Sequence, residues 1–142
     1  MLVVNKKIMS FVTNYPIVIP FIVILAAEVV KVCVDYFRKR SKVRFFNYGG
    51  MPSGHSAFVS ALVVVVAYRE GIDSTLFMIA AAFALIVMYD AINLRSESGK
   101  HAKILNKLSP EAKLEESIGH TKLEVIGGAV FGAVIAFVLL MV

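Results

Sequence analysis

Apolar residues in this 142-residue chain fall into four long runs, at about 16–37, 56–68, 74–93 and 123–142. Only the short Arg69-Glu70-Gly71-Ile72-Asp73 turn separates the second from the third, whereas the connections after the first and third are long and charged. Lipid offers no partners for an unpaired backbone, so each run predicts a helix. Most approach the ~20 residues that span a bilayer. The second is shorter and spans only if its entrance, Pro52 to His55, lies at membrane depth. The expected fold is an all-α integral membrane helical bundle with about four transmembrane helices, forming one domain over residues 1–142. Ile8, Met9, Phe11 and Val12 beside Lys6 and Lys7 predict a short interfacial helix ahead of the bundle. The first run continues past Ala26-Ala27 without a small-x-small site, which argues against a cleaved signal peptide.

Composition sharpens this picture. At 58% hydrophobic residues and a mean hydropathy of +0.78, the chain is too apolar for a soluble domain of its size. The net charge is +5, but the basic residues are gathered in blocks between apolar runs, the mark of membrane topology rather than nucleic-acid binding. Arg38, Lys39, Arg40, Lys42 and Arg44 fill the first connection; Arg95, Lys100, Lys103, Lys107, Lys113 and Lys122 fill the third. The opposite side carries only Lys6, Lys7 and Arg69. The positive-inside rule then puts both long connections in the cytoplasm and both termini outside. His55, His101 and His120 all fall on the cytoplasmic side. Cys33 is the single cysteine, so no intramolecular disulfide forms.

One stretch carries chemistry: Gly49-Gly50-Met51-Pro52-Ser53-Gly54-His55-Ser56. Pro52 suits a helix entrance, Ser53 a helix N-cap, and Gly54 a close approach to the backbone. A helix start with free N–H groups, a hydroxyl and an imidazole makes an anion site, for which phosphate is the obvious ligand. An ordinary capped turn with an interfacial His55 explains the same residues. Within the first run, Glu28 and Lys31 stand at i, i+3 and can pair, or Lys31 can snorkel to the surface. Arg38, two turns beyond Lys31, lies on nearly the same face, so the two cations can also form one wall of a site.

Lys31-x6-Arg38, Pro52-Ser53-Gly54-His55 and His120-x3-Glu124 resemble the three-part signature of the type 2 phosphatidic acid phosphatase and vanadium haloperoxidase superfamily. Gly-Gly-Met-Pro-Ser-Gly-His-Ser, the stretch from Met88 to Arg95, and Gly119-His120-Thr121 resemble a small divergent membrane-protein branch of it. The resemblance covers about residues 28–132. Lys39 stands where that signature has proline, and the third motif is split. Arg95-x5-His101 keeps the arginine-to-histidine spacing without an acid, and His120-x3-Glu124 keeps the histidine-to-acid spacing without the arginine. His120 is preferred to His101, with Arg95 supplied from the preceding connection.

Cleaving a phosphate ester needs a nucleophile, an acid for the leaving oxygen and positive charge around the phosphoryl oxygens. The resemblance gives His120 the nucleophilic role, Glu124 its orientation, and His55 the proton for the leaving group. Lys31, Arg38, Arg95, Ser53 and Gly54 would hold the phosphoryl oxygens, with no metal or other cofactor. Asp90 can orient Arg95 or Lys31, help bind a divalent cation, or cap interfacial charge; pairing is favoured. His101 is a solvated loop residue if not the nucleophile. Gly128 and Gly132, with Gly127 beside them, set a Gly-x3-Gly spacing for close helix packing within or between chains, so a homodimer is reasonable. The implied function is hydrolysis of a phosphatidate-like, phosphatidylglycerophosphate or polyprenyl phosphate lipid at the cytoplasmic face. The alternative is a non-catalytic membrane protein that binds or moves a phosphorylated lipid. A haloperoxidase is disfavoured by so small and apolar a chain.

Overall fold

The computed structural model describes residues 14–37 and 50–141. The interfacial helix expected near residues 6–12 and the basic cluster from Arg38 to Arg44 lie outside the described residues. The described chain is all-helical: α1 (Val18–Phe37), α2 (Gly54–Glu70), α3 (Thr75–Ile92), α4 (Leu94–Leu108), a 3-10 turn (Pro110–Ala112) and α5 (Lys122–Met141). α1, α2, α3 and α5 match the four apolar runs. α4 corrects the reading of the third connection as loop, and it carries His101, exposed, on its surface.

Local chemistry explains the boundaries. Pro20 is tolerated in the first turn of α1, where no i−4 carbonyl waits for its missing N–H. Gly71, at φ 85°, ends α2, and the Ser74 hydroxyl accepts the Phe77 N–H at 3.1 Å to start α3. Asn93 breaks α3 from α4, its backbone and side-chain N–H groups both donating to the Tyr89 carbonyl. The loop after α4 is pinned by Asn106, which exchanges hydrogen bonds with the backbone of Leu114 at 2.8 and 2.9 Å.

The core lies where α1, α2 and α5 meet, around Ile19, Val23, Ala27, Ala57, Ala61, Val65, Ala136 and Leu140. α2 and α5 run side by side in the same direction, at backbone contact. A Cβ on Gly128 would strike the Ser53 carbonyl, and one on Gly132 the Ala57 carbonyl. The Gly-x3-Gly spacing is therefore used inside this chain, as small residues are where helices pack without a large apolar driving force.

Outward faces are apolar: Phe21, Leu25 and Val29 on α1, Phe83 and Ile86 on α3, Val134 and Phe137 on α5 are all exposed. Two helical stretches among the described residues, Thr75–Leu108 and Lys122–Met141, are long and apolar enough to cross a membrane. Of the other two expected spans, α1 carries Glu28, Lys31 and Asp35, and α2 has only 17 residues.

Candidate functional site

The buried face of α1 changes character along its length. Ile19, Val23 and Ala27 are apolar; Lys31 and Asp35, at the same four-residue spacing, continue that face as charges, with Glu28 beside them. All three charged residues are buried. Lys31 does not snorkel: its Nζ lies 2.6 Å from Glu28 Oε1, the i, i+3 pairing that the spacing allowed. Arg38 lies outside the described residues, so the wall of two cations is represented by Lys31 alone.

The Pro52–Ser56 turn seats against this charged face. Pro52 enters through a cis peptide, and Ser53 caps α2, its hydroxyl accepting from the Ser56 N–H and from the Ser56 hydroxyl at 2.9 Å. The Ser53 N–H donates to the Glu124 carbonyl at 3.1 Å, fastening α2 to α5. Ser53 is wholly buried, and both its N–H and its hydroxyl are engaged within the protein. Gly50, at φ 94°, faces the stem of Lys31, with Lys31 Cδ 3.1 Å from where a Cβ would stand. At Gly54 the group that needs the missing side chain is Glu28, whose Oε1 would sit 2.9 Å from a Cβ. A carboxylate is thus already held at the positive end of α2, where the sequence suggested a phosphate.

His55 is exposed at this turn. It lies within electrostatic reach of Arg95, Lys31, Glu28 and Asp90. Arg95, from the start of α4, is braced across the Asn93 break by Asp90, with Nε to Oδ2 at 2.7 Å and both side chains half-buried. Asp90 therefore pairs with Arg95, while Lys31 takes Glu28.

His120 arrives from the loop before α5. Gly119, at φ 110°, turns the chain tightly over Ser96, and the His120 N–H donates to the Ala91 carbonyl at 3.0 Å. The imidazole is buried, within reach of Glu124, Lys31 and His55. Its Nδ1 lies 3.4 Å from Glu124 Oε2, too long for a charge-assisted hydrogen bond, and no hydrogen bond reaches Nδ1. Burial pushes the His120 pKa below its ordinary value; the Glu124 carboxylate opposes this, while Lys31 and His55 add to it.

Glu124 has a second task that the sequence reading missed. Its Oε2 accepts the Thr121 N–H at 2.9 Å, and its own N–H donates to Thr121 Oγ1 at 3.3 Å. This is a capping box, legible in Thr-x-x-Glu just before an apolar run. Capping holds the carboxylate beside His120.

The structure thus brings Lys31, His55, Arg95 and His120 to one end of the bundle, with Glu28, Asp90 and Glu124 beside them. His101 is not among the groups acting on either clustered histidine. Among the described residues, no group of three or more histidine, cysteine, aspartate or glutamate side chains is arranged to hold a metal ion.

Comparison with known proteins places the chain in a family. No solved structure matches the chain. An "Uncharacterized membrane protein YuiD" from Bacillus subtilis (strain 168) is 35% identical to it, over 92% of this chain and 97% of its own length. Residues 12–135, spanning α1, the Pro52–His55 turn, Arg95 and the His120–Glu124 helix start, match the Divergent PAP2 family, and the chain belongs to that family.

Proposed function

We propose that this protein is a membrane lipid phosphatase that hydrolyses a phosphomonoester or diphosphate through a phosphohistidine. The observation that carries this is the convergence of His55 and His120 with Lys31 and Arg95 at one end of the bundle. In this reading His120 attacks phosphorus through Nε2, since Nδ1 is turned to Glu124. As the bond to the leaving oxygen breaks, His55 delivers its proton. Water then cleaves the phosphohistidine, with His55 taking the proton back. Lys31, Arg95, the first amides of α2 at Gly54 and, from the first connection, Arg38 stabilise the phosphoryl oxygens. Ser53 acts through its cap, and Asp90 by bracing Arg95.

The exposed apolar faces and the membrane-protein relative support a membrane location. The proposal includes four spans in a single phosphatase-like domain over residues 1–142, the site facing the cytoplasm. Pairing of two copies would use a face other than Gly128 and Gly132, which α2 occupies.

The second reading, a non-catalytic binder or carrier of phosphorylated lipid, is favoured by one observation: Glu28 already stands at the N-terminus of α2. Phosphate release from phosphatidate, phosphatidylglycerophosphate and polyprenyl diphosphate, measured on the purified full chain with EDTA present, separates the two. Turnover of at least one, inhibited by vanadate, is expected; binding without turnover of any supports the carrier.

The pH dependence follows from the burial of His120. Its imidazole must be neutral to attack, so the acid limb of kcat/KM should lie below the ordinary histidine value of about 6.5. Glu124→Gln removes the group that raises the pKa, so the limb should move to still lower pH while kcat falls. An upward movement would remove Glu124 from the proposed role.

A further inference from the structure

α2 packs on α5 at backbone contact, whereas α3 leans on α2 and touches α5 far less. The space left between the three helices is a groove of about 490 Å³, lined by Ser60 and Val64 from α2, Ala81 and Met88 from α3, and Ala129 and Ala133 from α5. Alanines on two of the three walls make the room. The Ser60 hydroxyl apart, the side chains named present only carbon and the Met88 sulfur, so neither a phosphate nor ordered water has partners there.

The register of the groove ties it to the histidine cluster. Ser60 stands one turn beyond Ser56, the hydrogen-bond partner of Ser53, on the same face of α2, and Ala129 one turn beyond Val125 on α5, each about 6 Å along its helix. On α3, Met88 stands one turn before Ala91, whose carbonyl accepts the His120 N–H, on the same face, and the wall runs back to Ala81, about 10 Å along the helix. A molecule with its charge between His55, His120, Lys31 and Arg95 and a hydrocarbon tail would lay that tail along this groove.

We infer that the groove is the chain-binding subsite of the phosphatase, holding an acyl or isoprenoid chain of the lipid whose phosphate is cleaved. This rests on the lipid-phosphatase reading. Chain contact here adds burial and dispersion only to long-chain substrates, and it positions the phosphate end by anchoring the tail.

The test compares dioleoyl and dihexanoyl phosphatidate on the purified full chain, wild type against Ala81→Phe and the milder Ala133→Leu. Filling the groove should raise KM for the dioleoyl substrate about tenfold, what losing the burial of about two methylenes costs. Turnover of the dihexanoyl substrate should stay within about twofold, which also reports that the variants fold. Unchanged dioleoyl kinetics in both variants would overturn the subsite. So would a change in oligomeric mass with the chain preference intact, because a second copy would then be the occupant. Should wild type turn over neither phosphatidate, the comparison is made with long- and short-chain forms of whichever lipid phosphate of the first assay it hydrolyses; turnover of none of them ends the phosphatase reading by itself. The groove is then read from binding of a fluorescent long-chain phosphatidate, which Ala81→Phe should weaken by a similar factor. Equal binding by wild type and variant would overturn the groove as well.

Discussion

His120→Ala is expected to lower phosphatase turnover by at least about 10⁴-fold, the scale on which enzymes lose activity when a nucleophile is removed. His55→Ala should cost less, about 10²- to 10⁴-fold, because only general-acid assistance is lost. Both variants should keep the wild-type helical content. The Ala91 and Ser96 contacts around His120 are made by the backbone and by Gly119, and His55 is exposed. Rapid quench with labelled substrate should trap acid-labile, base-stable phosphate on the His120 peptide in wild type. His101→Ala, on the exposed face of α4, should leave the adduct in place. Label on the His101 peptide would transfer the nucleophilic role and make Arg95-x5-His101 the third motif.

Gly128→Val should destabilise the bundle by about 3 kcal/mol or more, beyond ordinary overpacking, because the obstacle is backbone. The Ser53 carbonyl stands where the new Cβ must go, and the Ser53 N–H is tied to Glu124 one turn away, so neither helix can yield without breaking the junction that seats His55. Gly132→Val should behave alike against the Ala57 carbonyl. Gly127→Ala is the control: its Cβ would press on the flexible Met51 side chain, whose terminal methyl lies 2.8 Å away, and should cost less than about 1 kcal/mol. Thermal unfolding in detergent measures all three. A Gly128→Val protein as stable as Gly127→Ala would mean that α2 and α5 are not packed at backbone contact.

What the sequence determined by itself was local. Runs of apolar residues, the Gly71 turn, the Ser53 cap and the end of the third run at Asn93 act within a few residues, so α1, α2, α3 and α5 were legible from hydropathy and turn chemistry. α4 was legible too, in the spacing of Leu94, Ile104, Leu105 and Leu108, but its lysines drew the reading toward topology. The pairing of Glu28 with Lys31 was open among alternatives, and Thr-x-x-Glu carried a capping signal behind its catalytic one. Only the tertiary structure decided which histidine meets His55, because 65 residues separate His55 from His120 and sequence spacing does not bear on their approach. Only packing, likewise, spent Gly128 and Gly132 on α2 and put the Glu28 carboxylate against Gly54. It also left the groove beside α3. Each depends on how close one helix axis comes to another, and that distance is set by side chains from segments far apart in the chain.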